Sequence, residues 1–489
     1  MSKPEFAACD FGAESGRVIL GILDRGKLRM EELHRFRNPQ IRAMGHYHWD
    51  LLHLFQELKN GLSRAAARGH RELSGIGVDT WGVDFGILDR EGKLLGNPVC
   101  YRDPRTEGVM EEVFDLVPAD EIYRLTGIQF IQFNTLFQLF SMKDSPALEM
   151  GRTMLHMPDL FNFMMTGEKV SEYTIASTSQ MLDVSARTWS VDLVERLGIP
   201  AEILPGLVRP GSIIGPLMKD MREETGLGEV PVIAPACHDT AAAVAAVPAQ
   251  GDDWAYLSSG TWSLIGVELD EPCVSPESRQ ANYTNEGGVN NKIRFLRNNM
   301  GMWLLEESRR CWKRDGLEPG YDEIIKMAEE ARPFQSVIDP DHISFMKPDN
   351  MPGAIAEFCR DTGQQPPDSP GAQARCIFES LALKYRFLIE GINRIRGRDT
   401  QMLHIVGGGS RNRMLNQFTA DSLGIPVTAG PVEATAIGNI MMQAISTGIL
   451  ESLEEGRRMV KDSFPVETYQ PGERELWEEI YQEKKGLFK

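Results

Sequence analysis

An acidic residue followed by a run of small residues ends the first apolar segment of the chain. Phe6–Phe11 is apolar except for Asp10, and it continues into Gly12-Ala13-Glu14-Ser15-Gly16-Arg17. A turn of this composition between two strands can bind phosphate groups through its backbone N–H groups. Asp10 would then hold Mg²⁺, through water because Mg²⁺ keeps part of its hydration shell. The alternative is an ordinary β-hairpin with an aspartate before its turn.

Two later turns rich in glycine or serine also follow apolar segments. Ser258-Ser259-Gly260-Thr261 repeats the pattern of the first turn, and two such loops could hold a polyphosphate from opposite sides. Gly407-Gly408-Gly409 joins a predicted strand to a predicted helix, where a phosphate or a flat ligand can lie against the backbone. For this triplet, a tight turn with Ser410 as the helix cap is the alternative.

A histidine and an aspartate precede an alanine-rich helical segment. Asp239 is predicted to be the N-cap of that helix, the usual role of an aspartate at a helix start. A carboxylate held rigidly there could also act as a base on a sugar hydroxyl, and the two roles are compatible. His238 could form hydrogen bonds with sugar oxygens, although a lone histidine is more often structural.

An aromatic residue and a glycine follow another apolar strand, in Asp79-Thr80-Trp81-Gly82-Val83-Asp84-Phe85. They suit a platform for a sugar ring, but a buried tryptophan at a bend fits the pattern as well. Gly21–Lys27 matches the start of a P-loop, yet Leu28 replaces the Ser or Thr that binds Mg²⁺ and a strand follows. His46 and His48 have no nearby cluster of carboxylates or cysteines, so we do not interpret them as metal ligands.

The segments that position these residues predict an α/β unit. Extended segments at 6–11, 18–23 and 27–36 are followed by a helix over 50–70 with Asp50 as its cap. A strand at 75–80 then returns, so we expect three antiparallel strands, a helix and a further strand.

The second half of the chain repeats this order. Strands at 254–260 and 262–269 flank a turn, and a helix over 374–396, a strand at 402–406 and helices over 412–423 and 433–448 follow. Pro248–Asp252 interrupts the apolar pattern between the halves. We therefore predict a duplicated architecture with domains at residues 1–248 and 249–489, and a charged surface helix at the C-terminal end.

Composition excludes several classes of partner. A chain of 489 residues is longer than one core of about 250–300 residues, which agrees with two domains. The 52 basic and 70 acidic residues give a net charge of −18, so we expect no nucleic-acid or membrane partner. The seven cysteines contain no C-x-x-C, and residues 1–10 have no long apolar segment. We expect a cytoplasmic protein with reduced thiols, although Cys359 and Cys376 could meet.

Eight segments, taken in order, resemble the FGGY family of carbohydrate kinases over nearly the whole chain. They are DFGAESGR (10–17), DTWGVDF (79–85), YRDPRT (101–106), GIQFIQFNTLFQL (127–139), HDT (238–240), YLSSGTWS (256–263), NNMGMWLL (298–305) and LHIVGGGSRN (403–412). The resemblance implies an α/β fold of two RNase H-like domains, as in actin-like ATPases, with the active site in the cleft between them.

The resemblance also implies a role for each matched residue. Asp239 is expected to be the catalytic base, and Asp10 is expected to hold Mg²⁺. The sugar-binding residues are expected to be Gly82, His238, Asp239 and Thr240. The residues that contact ATP are expected to be Ala13, Glu14, Ser15, Gly16, Arg17, Thr261, Asn298, Glu306 and Gly408. At Glu306 this chain departs from relatives that carry Gln.

The activity implied by the resemblance is transfer of the γ-phosphoryl group of MgATP to the C1 hydroxyl of L-rhamnulose. A kinase of L-fuculose or L-xylulose is an alternative, because these sugars differ by one stereocentre or one methyl group. A nucleotide-dependent sensor of the actin-like type, without kinase activity, is another. The expected partners are the ketose and MgATP, and the expected state is a monomer or a small homo-oligomer.

Overall fold

The computed structural model describes residues 3–488, which form two compact units. The first unit comprises the described residues up to Gln250, together with Glu268–Phe295 and Ala434–Phe464. The second unit comprises Gly251–Val267, Leu296–Glu433 and the described residues from Pro465 onward. The chain thus enters and leaves each unit more than once. The domain boundary predicted from the sequence, at 248/249, instead divides the chain into two consecutive domains, and it remains a prediction.

The strands, in chain order, are β1 (Glu5–Phe11), β2 (Ser15–Asp24), β3 (Lys27–Arg37), β4 (Ile41–Ala43), β5 (His46–His48), β6 (Gly75–Thr80), β7 (Phe85–Leu88), β8 (Thr153–His156), β9 (Val170–Glu172), β10 (Leu182–Asp183), β11 (Thr188–Trp189), β12 (Gly206–Val208), β13 (Ser212–Pro216), β14 (Pro231–Ala234), β15 (Trp254–Ser259), β16 (Trp262–Leu269), β17 (Thr284–Gly287), β18 (Ile293–Met300), β19 (Met402–Val406), β20 (Val427–Ala429) and β21 (Glu467–Tyr469).

The α-helices are α1 (Leu51–Ala67), α2 (Val109–Leu116), α3 (Ala119–Thr126), α4 (Thr135–Phe140), α5 (Pro146–Met150), α6 (Met157–Thr166), α7 (Tyr173–Ala176), α8 (Val191–Arg196), α9 (Lys219–Thr225), α10 (Asp239–Ala245), α11 (Pro276–Gln280), α12 (Trp303–Arg314), α13 (Tyr321–Glu330), α14 (Met351–Asp361), α15 (Pro370–Arg396), α16 (Arg413–Leu423), α17 (Ala434–Ser446), α18 (Leu453–Ser463) and α19 (Arg474–Lys484).

The main sheet of the first unit has the strand order β13-β14-β6-β1-β2-β3. β1, β2 and β3 pair antiparallel, and β6 pairs parallel with both β1 and β14. Asp50 caps α1 by accepting a hydrogen bond from the His53 N–H. The prediction of three antiparallel strands, a capped helix and a returning strand is confirmed.

The second sheet has the order β17-β18-β16-β15-β19-β20-β21. β15 is antiparallel to β16 and parallel to β19, as β1 is to β2 and β6. An antiparallel strand also follows the parallel strands in each sheet, β13 in one and β21 in the other. The matching orders confirm that the strand pattern of the first half recurs in the second.

The helix α17 lies late in the sequence but belongs to the first unit. It crosses α10 so closely that a Cβ atom at Gly438 would lie 1.8 Å from the Ala242 carbonyl oxygen, a separation no side chain tolerates. Two polar side chains of α17 reach the sheet: Gln443 donates to the Ala7 carbonyl at 3.0 Å and Asn439 to the Gly77 carbonyl at 3.2 Å. Glycine at position 438 therefore allows α17 to pack closely against α10.

Two predictions of element boundaries were wrong. The 27-residue α15 begins at Pro370, four residues before the predicted start, because Ser369 caps it and proline suits the first helical position. The C-terminal stretch is not one surface helix but α18, β21 and α19. In α19, Trp477 is buried and its ring packs on Phe334 with centroids 4.8 Å apart. Among the described residues, no helix is both long and apolar enough to cross a membrane.

Candidate active site

Three parallel strands of the first unit end at the same edge of its sheet. Asp10 of β1 is the register partner of Asp79 of β6, and Thr80 forms a parallel bridge with His238 beyond β14. The Thr80 N–H also donates to the Cys237 carbonyl at 2.9 Å. Ligands of open α/β sheets bind where the carboxyl ends of such strands meet. The loops after these strands, which carry the sugar and phosphate residues predicted from sequence, are thus brought together.

The loop after β1 is held by one asparagine that the sequence analysis did not identify. Asn38 donates its side-chain amide to the Gly12 carbonyl and its backbone N–H to the Glu14 carbonyl, each at 3.0 Å. Ala13 and Ser15 are half-buried and Glu14 is exposed. Gly16 is buried, and a Cβ atom there would lie 2.3 Å from the Phe36 ring. The loop therefore has a fixed conformation with an outward-facing tip, which suits the predicted phosphate contacts.

Asp10 and Arg17 face each other across the β1–β2 pair. The Arg17 guanidinium donates to Asp10 Oδ2 at 2.5 Å, and both side chains are largely buried. Arg17 thus brings a positive charge to the edge where phosphates are predicted to bind.

Asp79 is a site residue that sequence reasoning did not single out. It is fully buried, and Asn439 of α17 donates to its Oδ2 at 2.6 Å. Its Oδ1 has no hydrogen-bond partner among the described residues. Burial raises the pKa of this carboxyl well above its usual range, and the charges of Asp10 and Asp239 add to the effect. Aspartates ending two neighbouring strands were the signal that could have identified it.

The two carboxyls at the ends of β1 and β6 fit a hard divalent cation. Mg²⁺ prefers oxygen ligands, and a buried carboxylate oxygen without a partner is one that a cation can satisfy. Three or more His, Cys, Asp or Glu side chains do not gather in a metal-binding group anywhere in residues 3–488. A cation bound at Asp10 would therefore keep several water ligands, which agrees with the prediction of a water-mediated contact.

Asp239 is the first residue of α10, and its predicted role as N-cap was wrong. The cap position belongs to His238, so Asp239 lies one residue further into the helix. Its Oδ1 accepts hydrogen bonds from the Thr240 N–H at 2.5 Å and the Thr240 hydroxyl at 3.1 Å. The side chain keeps 31% of its surface exposed. Removal from water, with the charge of Asp10, raises its pKa despite the opposing effect of His238, so Asp239 is suited to accept a proton.

His238 lies in a cluster of charged side chains that sequence reasoning also missed. Its Nδ1 is 3.0 Å from Arg294 Nη2 and 3.4 Å from Glu286 Oε2. Its Nε2 is 3.4 Å from Asp239 Oδ1. Arg294 and Glu286 lie more than 45 residues further along the chain on β18 and β17, and no local pattern pairs them with His238.

Glu172 fixes the backbone on which His238 is placed. Its carboxylate accepts hydrogen bonds from the Thr174 N–H and hydroxyl, the Ile175 N–H and the Cys237 N–H, at 2.5 to 3.2 Å. The Thr174 hydroxyl oxygen in turn accepts from the His238 N–H at 3.2 Å. Glu172 is fully buried, and burial raises its pKa to about 7 in spite of these donors.

Trp81 is a buried tryptophan at a bend, which was one of the two interpretations of this segment offered from the sequence; the other was a platform for a sugar ring. Its indole N–H donates to Asp84 Oδ2 at 2.9 Å, and the Trp49 indole donates to the same atom at 2.6 Å. The two rings lie 4.4 Å apart. Gly82 is half-buried, and a Cβ atom there would lie 3.2 Å from the Thr178 side chain. The backbone of Gly82, and not the Trp81 ring, is therefore the group that a sugar could reach.

The glycine triplet of the second unit surrounds Ser259, which ends the strand parallel to β19. Gly407 has φ +85°, and a Cβ atom at Gly409 would lie 2.0 Å from Ser259 Oγ. Gly408 is exposed, and a Cβ atom there would meet nothing within 4 Å. The helix cap is Asn412, which accepts from the Leu415 N–H, so Ser410 as cap was wrong. Two glycines therefore serve packing, and Gly408 faces open space.

Thr261 and the segment after Asn298 are joined by backbone hydrogen bonds in the second unit. The Thr261 carbonyl accepts from the Gly301 N–H at 3.1 Å and the Trp303 N–H at 3.2 Å. Glu306, in the first turn of α12, accepts from Arg309 at 3.0 Å and from the Tyr321 hydroxyl at 3.1 Å. Thus Thr261, Asn298, Glu306 and Gly408, which are predicted to contact the nucleotide, all lie in the second unit. The residues predicted for the sugar, Mg²⁺ and the phosphate loop lie in the first.

Comparison with protein families identifies both halves of the chain. Residues 6–246 match the N-terminal domain of the FGGY family of carbohydrate kinases, and residues 255–447 match its C-terminal domain. The rhamnulokinase of Bacteroides thetaiotaomicron is 46% identical over 481 residues, which cover 98% of this chain and 98% of that protein. The rhamnulokinase of Bacillus subtilis is 38% identical and covers 95% of each chain.

Solved structures of sugar kinases have the same fold. Gluconate kinase from Lactobacillus acidophilus aligns with a TM-score of 0.82 at 16% identity, over 99% of this chain and 98% of that one. Glycerol kinase from Plasmodium falciparum, solved with ADP, aligns with a TM-score of 0.77 at 15% identity and the same coverage. The predicted fold class, two RNase H-like domains of α/β type, is confirmed.

Proposed function

The chain belongs to the FGGY family of carbohydrate kinases, and we propose that it phosphorylates the C1 hydroxyl of L-rhamnulose with MgATP, a step of L-rhamnose degradation. The observation that carries this substrate assignment is the 46% identity to a rhamnulokinase across 98% of both chains. The products are L-rhamnulose 1-phosphate and ADP. The proposed sugar contacts, Gly82, His238, Asp239 and Thr240, agree with a neutral sugar as acceptor, because none of them requires a charged substrate.

Asp239 is the proposed general base. Its raised pKa and its partly exposed carboxylate suit a group that accepts the C1 hydroxyl proton as the bond to phosphorus forms. Gly82, His238 and Thr240 would orient the ketose around it. Phosphoryl transfer depends mainly on positioning and on neutralising charge, so these contacts account for much of the expected rate.

The phosphate groups of ATP are assigned to the loop Ala13–Arg17, with Arg17 supplying a positive charge. Thr261, Asn298, Glu306 and Gly408 are the proposed contacts to the rest of the nucleotide. Asp10, with the unpartnered oxygen of Asp79 beside it, would hold Mg²⁺. When bound, Mg²⁺ neutralises charge on the β- and γ-phosphate oxygens. Glu306 is the weakest member of this set, because Arg309 and Tyr321 already occupy its carboxylate.

A panel of ketoses tests the substrate. ADP release is measured with L-rhamnulose, L-fuculose, L-xylulose and D-xylulose, and the highest kcat/KM is expected for L-rhamnulose. One methyl group contributes only about 1–3 kcal/mol of discrimination, so L-fuculose and L-xylulose are expected to react more slowly without being inert. A preference for another ketose would overturn the substrate, and ATP binding without sugar-dependent ADP release would indicate a nucleotide-dependent sensor.

Three further parts of the proposal follow from composition and motifs. A cytoplasmic site of action agrees with seven free cysteines. The net charge of −18 disfavours nucleic acid and anionic membranes as partners. A monomer or a small homo-oligomer is the proposed state, and sedimentation with and without MgATP measures it.

A further inference from the structure

A buried arginine lies directly behind the histidine of the proposed sugar site. Arg294 is 0% exposed, and its Nε–H donates to the Gly287 carbonyl at 2.8 Å. One Nη2–H donates to Glu286 Oε2 at 3.0 Å, and Nη2 is also 3.0 Å from His238 Nδ1. A guanidinium withdrawn completely from water is costly, and a buried ion pair is often replaceable by apolar residues. Its presence at this position calls for a role beyond packing.

The donor–acceptor chemistry fixes the state of the imidazole. A guanidinium carries only donors, so His238 Nδ1 must accept the hydrogen bond from Arg294. The ring proton is then on Nε2, which faces Asp239 Oδ1 at 3.4 Å. Glu286 Oε2 is 3.4 Å from Nδ1, further than the 3.0 Å of Arg294 Nη2, and it accepts its own hydrogen bond from the same Nη2.

We propose that Arg294 is a positioning residue that holds His238 as a neutral imidazole with its proton on Nε2, directed at Asp239 and at the sugar hydroxyl bound there. This inference rests on the proposed function, in which Asp239 is the base. An Nε2–H donor can hold the hydroxyl oxygen or Asp239 in place while leaving Asp239 ionised. An imidazolium at the same position would pair with Asp239 and weaken it as a proton acceptor.

Two carboxylates each lie 3.4 Å from a His238 ring nitrogen, Asp239 of α10 and Glu286 of β17, and Arg294 opposes their effect. Glu172 of β9 accepts from the N–H of the preceding residue, Cys237, and Asp79 and Asp10 end β6 and β1 at the same edge of the sheet. Without the guanidinium, Nδ1 would face Glu286 alone. The ring would then take up a second proton and stay charged to higher pH.

Three variants separate this role from a structural one. In Arg294→Met, kcat at pH 7 is expected to fall about 10- to 100-fold, and the acid limb of the kcat profile is expected to move up by about one pH unit. In Glu286→Gln the guanidinium still donates to His238 and one nearby negative charge is lost, so the acid limb is expected not to move up. In the double variant with both Arg294→Met and Glu286→Gln, the side-chain amide at position 286 can donate to His238 Nδ1 in place of the guanidinium. The acid limb of the kcat profile is then expected to return towards its wild-type midpoint. KM for ATP is expected to change less than about twofold throughout.

The imidazole itself can be observed without turnover. Histidine is labelled with ¹⁵N in the sugar-free protein, and the signal of His238 among the nine histidines is assigned by its loss in His238→Gln. A proton on Nε2 alone is expected for the wild type at pH 7, and a doubly protonated ring for Arg294→Met. If Arg294→Met does not fold, Arg294→Lys replaces it, and its ammonium donor is expected to preserve the Nε2–H state.

Two results would overturn the inference: a wild-type ring protonated on Nδ1, or an Arg294→Met profile that is lowered equally at every pH. Failure of the proposed function gives a different result. In that case Asp239→Asn keeps its turnover, or no ketose releases ADP, while the ¹⁵N spectrum still reports an Nε2–H ring held by Arg294.

Discussion

Asp10 and Asp79 are register partners at the ends of two parallel strands, and one oxygen of Asp79 has no hydrogen-bond partner among the described residues. Two carboxylates so placed repel each other unless one is protonated or a cation lies against them. Arg17 bonds Asp10 and Asn439 bonds Asp79, and neither satisfies the unpartnered oxygen. Under the proposed function, the bound Mg²⁺ would supply the positive charge that this pair of carboxylates requires.

Replacement of Asp79 tests whether it contributes to cation binding. Asp79→Asn is nearly isosteric but cannot ionise beside a cation, so the Mg²⁺ concentration needed for half-maximal activity is expected to rise about tenfold or more. Excess Mg²⁺ is expected to restore most of kcat. Asp84→Asn is the matched control, because Asp84 is equally buried but its oxygens accept from Trp49, Trp81 and Gln138. An unchanged Mg²⁺ requirement in Asp79→Asn would exclude a role in binding the cation.

Replacement of Asp239 tests the general base. Asp239→Asn keeps the hydrogen-bond acceptor for Thr240 but cannot take a proton, so kcat is expected to fall about 10²- to 10⁴-fold. Binding of ATP, measured by calorimetry, is expected to remain within about threefold of the wild type. Asp120→Asn, at an exposed carboxylate of the same unit, is the control and is expected to keep full turnover. Near-normal kcat in Asp239→Asn would assign the proton to another acceptor.

Gly408 offers a test of the nucleotide contacts that does not disturb the fold. A Cβ atom at Gly408 would meet no atom within 4 Å, so Gly408→Val is expected to unfold at the wild-type temperature. It places a bulky side chain where the adenosine is proposed to lie, so KM for ATP is expected to rise about tenfold while KM for the ketose is unchanged. Gly363→Ala is the control at another open glycine of the second unit, although its φ of +69° adds some strain. If KM for ATP does not change in Gly408→Val, the nucleotide lies elsewhere.

Glu172 predicts a pH dependence of stability with a defined sign. Its pKa is about 7 in the folded protein against an ordinary value of 4.5, because burial disfavours the charged form. A carboxyl with a raised folded-state pKa contributes fully below pH 4.5, and its contribution is lost as the pH rises through 7. The shift corresponds to at most about 3 kcal/mol.

Thermal unfolding of wild type and Glu172→Gln at pH 5 and pH 8 measures this effect. Glu172→Gln has no ionisable group at this position, so the stability of wild type relative to the variant is expected to be greater at pH 5 than at pH 8. Equal differences at the two pH values would show that Glu172 titrates with the same pKa in the folded and unfolded chains.

Local pattern was sufficient to predict the strands, the turns and the repeat. The alternation and periodicity of residues 6–80 determine β1, β2, β3, α1 and β6, and the same pattern recurs from Trp254. Asp50 follows the usual capping rule because its side chain and its partner are three residues apart. Asp239 does not take the cap position, because the Thr80–His238 bridge makes His238 the last extended residue before the helix.

The residues that sequence reasoning missed are those whose partners lie far along the chain. Asp79 depends on Asn439, which is 360 residues away. Arg294 and Glu286 reach His238 only because β17 and the first residues of β18 belong to the first unit. No property of these residues alone distinguishes them from the other charged residues of the chain, and only the tertiary fold gives each its neighbours.

Because α17 lies late in the sequence, the first unit cannot complete its fold during synthesis until most of the chain has left the ribosome. α17 can pack onto the first unit only after more than 430 residues have been synthesised, since the helix begins at Ala434. Until then Ala7 and Gly77 lack the bonds from Gln443 and Asn439, and the apolar face that α17 covers is open to other chains or to chaperones. Nascent chains stalled before Ala434 should therefore be sensitive to protease in their N-terminal half, and release of the full chain should protect it.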